Sequence, residues 1–171
     1  MSEPPSQPGP SDVTVVVSDE QSDVNIDADR WAMLASDVLR AEGRTGELTL
    51  TFIDRDEMAV LNEEHMGKSG PTDVLSFPLD SVDDGFGGLP GPMLLGDVVV
   101  CPAEAREAAP THAGTLDDEL ALLVVHGILH VLGHDHAEPD ETQVMRARER
   151  ELLEAHHWHG TAPAAFRQEQ D

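Results

Sequence analysis

The stretch His126-Gly127-Ile128-Leu129-His130-Val131-Leu132-Gly133-His134-Asp135-His136 decides how this chain is read. His126 and His130 stand four apart in an apolar run, and four residues carry a helix through one turn plus about 40°. Both imidazoles therefore leave the same helical face, a spacing that suits two ligands of one metal ion. Gly133 tolerates a positive φ where the helix must stop, so the chain can turn back and bring His136 to the same ion. Three neutral imidazoles leave a fourth tetrahedral position open, which is what distinguishes a catalytic zinc from a structural one. A lone histidine in such a run is more often a buried ring with one hydrogen bond. Here Leu122, Leu123, Val124, Val125, Ile128, Leu129, Val131 and Leu132 make the helix apolar on nearly every side. Unpaired polar rings would be costly there, and a metal removes that cost.

The spacing is similar to that of the metzincin zinc peptidases, His-Glu-x-x-His-x-x-Gly-x-x-His. Their glutamate takes the proton from the zinc-bound water, and the matching position here is Gly127, which has no side chain. A metallopeptidase would need an acid from elsewhere in the chain.

Length and composition narrow the class. The 171 residues fit one domain, and 39% hydrophobic residues suffice for one core. Cys101 is the single cysteine, which excludes an internal disulfide and a cysteine-built metal site and agrees with a reducing cytosol. The start, Met1-Ser2-Glu3-Pro4-Pro5, has neither the basic opening nor the apolar run of a secretory signal. With no apolar segment long enough to span a bilayer, a soluble cytoplasmic protein is expected. The formal charge of -24 repels nucleic acid at long range, because affinity for phosphate normally comes from lysine and arginine.

Residues 1–12, rich in Pro, Ser and Gly, read as a disordered tail, residues 13–157 as a single catalytic domain, and residues 158–171 as a flexible C-terminal tail. Strands are expected over Val13–Val17, Glu47–Ile53 and Leu94–Cys101, the last being the most apolar and so central, and within Pro71–Pro78 a loop closes into a short apolar strand stopped by Pro78. Helices are expected over Asp29–Glu42, from Asp54 to Gly67, over Pro102–Ala109, from Thr115 through the histidines, and over Pro139–His157. Ser81–Pro92, dense in Gly, Pro and Asp, is long enough for a flap. Thr115 and Asp118 have capping-box spacing. Glu119 either complements the helix dipole or reaches toward His126, and the alternating Arg and Glu of the last helix read as a solvated face. Met145 sits among helix formers and supplies no metzincin Met-turn. Together these elements predict an α+β fold, a mixed β-sheet covered by helices with the histidine helix in a cleft.

Three stretches carry a family resemblance: Leu61-Asn62 through Pro71-Thr72-Asp73-Val74-Leu75-Ser76-Phe77-Pro78, then Leu95-Gly96-Asp97-Val98, then the histidine run from His126 to His136. In order and spacing the chain resembles the YbeY family of bacterial endoribonucleases, also called ribosomal RNA maturation factors. That resemblance implies one zinc ion on His126, His130 and His136, and cleavage of single-stranded RNA. It also implies a role in maturing the 3′ end of small-subunit ribosomal RNA and in ribosome quality control; ribosomal proteins are further candidate partners, which would supply docking if the chain binds RNA weakly by itself. Asp135 is the expected acceptor for a ligand N–H, or else an external helix cap. No general base is evident.

Two positions depart from the family pattern. His134 stands where tyrosine is common and reads as a fourth ligand, a proton carrier or, preferably, a ring packed in the same place. Met66 occupies the position of a cleft arginine, so Lys68, or Arg146 with Arg150, would have to hold the substrate phosphate unless they pair with neighbouring glutamates. A rival class is a ribosome-assembly factor with a structural zinc and little nuclease activity. The acidic charge and Met66 favour it.

Overall fold

The computed structural model describes residues 12–79, 93–134 and 137–168. The expected N-terminal tail, apart from Asp12, and the expected flap over Ser81–Pro92 lie outside them. Four strands, β1 (Val13–Asp19), β2 (Gly46–Phe52), β3 (Val74–Pro78) and β4 (Leu94–Val100), form one sheet in the order β1-β2-β4-β3. β1 and β4 run parallel to β2, and β3 runs antiparallel to β4. The parallel pairs need crossovers, and α1 (Ala28–Ala41) supplies the first, between β1 and β2. The mixed sheet of the expected α+β class results.

β2 alternates along its whole length, turning Leu48, Leu50 and Phe52 into the core. β4 buries Val98, Val99 and Val100 on successive faces and lies inside the sheet, as its apolar run predicts. α1 and α4 (Leu116–Val131) close over one face, where Trp31, Val38, Leu123 and Ile128 meet Leu48, Leu50 and Val98. On the other face α2 (Arg55–Met66) sets Met58 into a smaller cluster with Leu75, Val99 and Cys101. A short α3 (Pro102–Ala108) leads to α4, and α5 (Pro139–His156) packs against α4 and α1.

The helix ends explain where the functional loops begin. Asp54 accepts from the Glu57 amide at 2.9 Å to start α2, and Gly67 ends it at φ 68°. Thr115 accepts from the Asp118 amide at 3.1 Å to start α4. The reciprocal half of that expected capping box is absent, because Asp118 Oδ1 instead accepts from His157 Nε2 and Trp158 Nε1, each at 2.8 Å.

Residues 158–168 differ from the flexible tail that composition suggests. Trp158 meets Phe166 edge to face with centroids 4.8 Å apart, Phe166 and Ala162 are buried, and the Arg167 amide donates to the His112 carbonyl at 3.0 Å. Two aromatic rings give this polar segment enough apolar area to dock.

Candidate active site

α4 presents the histidine pair to a cleft of about 450 Å³ that it shares with β3 and the loop following α2. The rings of His126 and His130 stand edge to face, centroids 4.6 Å apart and 77° between planes. Gly133 then takes φ 107°, the left-handed turn expected just past α4. His136 and Asp135 lie outside the described residues. Among the described residues no three His, Cys, Asp or Glu side chains converge as metal ligands.

His126 is held from behind. Its Nδ1 lies 2.6 Å from Oε2 of Glu149, a carboxylate of α5 whose residue is only 3% exposed. Since a carboxylate can only accept, Nδ1 carries the hydrogen, which leaves Nε2 as the atom a metal would use. A carboxylate behind an imidazole is the usual support of a metal-bound histidine. The donor set therefore fits zinc. Asp135, expected to accept from a ligand N–H or else to cap the helix externally, lies outside the described residues, and the alternating charges of the last helix read Glu149 as part of a solvated face. The signal was present: Met145, Glu149, Leu152 and Leu153 recur at helical spacing, which places Glu149 in the buried stripe of α5.

Gly127 has a steric cause. A Cβ there would lie 2.6 Å from Val98 Cγ1 and 3.3 Å from both Ser76 Oγ and Val74 Cγ2. α4 thus rests directly on β3 and β4, and the Ser76 hydroxyl locks the contact by donating to the Gly127 carbonyl at 2.9 Å. The same closeness holds at Gly96, where a Cβ would meet the Phe77 carbonyl at 2.6 Å and Val131 Cγ1 at 3.1 Å. No glutamate fits at position 127, so the peptidase route loses its base for a packing reason.

The opposite wall is the loop between α2 and β3. Buried Asn62 donates to the Gly70 carbonyl at 2.8 Å, and the Cys101 amide donates to the Asp73 carbonyl at 2.9 Å, which brings Thr72 and Asp73 to the cleft lining. Burial pushes the Asp73 carboxyl above its ordinary range, opposed by the charge of His126 and by the backbone amides of Asp73 and Val74. Ser76 lines the cleft as well as locking α4.

Among the cations expected to replace the arginine missing at Met66, Lys68 lines the cleft beside Met66, whereas Arg146 and Arg150 do not. Arg150 lies 3.5 Å from Glu154. His134 points toward the end of α1, its Nε2 3.8 Å from Glu42 Oε1. Glu119 stands in the acidic first turn of α4, as the dipole reading expects, and faces His112 rather than His126: fully buried, it lies 2.9 Å from His112 Nδ1 and accepts from the Ala113 amide at 3.0 Å, anchoring the turn before α4.

Fold and site together define an α+β protein with a polar cleft built on a paired-histidine helix braced by a buried acid. A family model described as "Endoribonuclease YbeY" matches residues 16–157, and the chain belongs to that family. The endoribonuclease YbeY of Mycobacterium sp. (strain KMS) is 50% identical over 111 residues, 63% of each chain. This chain thus spans 63% of the length of the mycobacterial relatives it matches. The endoribonuclease YbeY of Beutenbergia cavernae is 47% identical over 136 residues, 78% of this chain and 91% of that one. That of Salinispora tropica is 44% identical over 149 residues, 82% of this chain and 94% of the relative. The fold also matches a solution structure from Thermotoga maritima with a TM-score of 0.53 at 22% identity, covering 88% of this chain and 98% of that one.

Proposed function

We propose that this chain is a zinc-dependent endoribonuclease that cuts single-stranded RNA and acts in maturing the 3′ end of small-subunit ribosomal RNA and in ribosome quality control, in the cytoplasm. The observation that carries this reading is the cleft-facing pair His126 and His130, with Nδ1 of His126 braced by Glu149. His126, His130 and His136 would hold the ion, which supplies a more acidic bound water and polarises a phosphoryl oxygen. Lys68 at the cleft lip would hold the substrate phosphate, and a lysine does so as a point charge. Membership of the endoribonuclease YbeY family supports RNA as the substrate.

A second reading, a ribosome-assembly factor whose zinc is structural, is favoured by the charge of -24 and by Lys68 being the one lysine or arginine on the described cleft lining. Purified protein should cut an unstructured RNA when loaded with zinc, lose that activity with chelator, and lose it in His130→Ala. If chelator unfolds the protein and no RNA is cut in either state, the assembly role stands instead.

A further inference from the structure

We infer that Gln168, in the segment following α5, is a positioning residue for the histidine site, a role that rests on the metal reading proposed above. Its amide nitrogen donates to Oε1 of Glu149 at 3.0 Å and to the Arg146 carbonyl at 2.9 Å. A primary amide has two N–H donors, and both are engaged. The reversed amide would set its oxygen against two acceptors, so the network itself decides the orientation.

Glu149 leaves little choice of its own. It is buried, one oxygen faces His126 Nδ1, and the other accepts from Gln168. The chain of contacts therefore runs Gln168, Glu149, His126, each link at hydrogen-bond distance. Gln168 fixes the carboxylate plane, the carboxylate fixes the tautomer and tilt of the imidazole, and the imidazole lines the cleft. Docking of Trp158 and Phe166 holds the backbone that delivers Gln168. The C-terminal segment, remote in sequence from the motif, thereby becomes part of the site's support.

The test uses the full chain with Gln168→Ala, Gln168→Glu and, as a control, Arg167→Ala, whose hydrogen bond to the His112 carbonyl comes from its backbone amide alone. Zinc affinity is read by chelator competition, ligand geometry by the visible spectrum of the cobalt-substituted protein, and the His126 Nδ1 proton by NMR in the metal-free protein. Both Gln168 variants should weaken zinc about 10-fold, shift the cobalt bands and speed exchange of the Nδ1 proton, with unfolding midpoints near that of Arg167→Ala. Unchanged zinc affinity, cobalt bands and proton exchange in Gln168→Ala would overturn the inference. If the unsubstituted chain binds no zinc, the metal reading fails, and the Nδ1 proton alone then decides whether Gln168 orients His126.

Discussion

The α-carbon of Gly127 faces the side chain of Val98 so closely that an added methyl carbon would stand 2.6 Å from Val98 Cγ1. Val98 is fully buried, so it cannot swing away. Gly127→Ala should therefore destabilise the protein by about 1–3 kcal/mol, the usual range for overpacking, against a helix-propensity gain of at most about 1 kcal/mol. Urea denaturation measures the balance, and a variant as stable as the parent would mean that α4 can lift off the sheet. Gly127→Glu should fail to fold rather than create a peptidase.

Glu149→Ala removes the acceptor of His126 Nδ1. Zinc affinity should fall by about 10- to 100-fold, whereas Glu149→Gln, which keeps an acceptor oxygen but not the charge, should fall between that variant and the parent. Competition with a chromophoric chelator ranks the three proteins. Equal affinities would show that the brace has no bearing on the ion.

Lys68→Ala should weaken RNA binding similarly across sequences and lower the slope of log affinity against log salt by about one. The same change at Arg146 should leave that slope alone, since Arg146 lies off the cleft lining. Filter binding of a short single-stranded RNA over a salt series separates them.

Asp73 gives a pH dependence with a definite sign. Burial raises its carboxyl above the ordinary value, so the folded protein binds this proton more tightly than the unfolded chain does. The associated stabilisation is complete below the unfolded carboxylate range and is lost as pH rises through the folded value. Asp73→Asn abolishes the ionisation. Its stability should exceed the parent's at about pH 8, and the gap should close toward about pH 4. A constant gap in parallel urea titrations would place the effect elsewhere.

Helical spacing alone determined that His126 and His130 share a face, and the caps at Asp54 and Thr115 and the turn at Gly133 were equally legible, because each depends on residues within a turn or two. Apolar alternation likewise marked β2, and a continuous apolar run marked β4 and its interior place. Only the tertiary structure decided that Glu149 rather than a neighbouring acid lies behind His126, that Lys68 rather than Arg146 or Arg150 reaches the cleft, and that residues 158–168 return to the domain. It also turned the missing glutamate into a packing requirement, since nothing local to Gly127 reveals that Val98 lies above it. The physical reason is range: backbone periodicity is set by near neighbours, whereas the partner of a buried charge or the room for a methyl group depends on segments that only folding brings together.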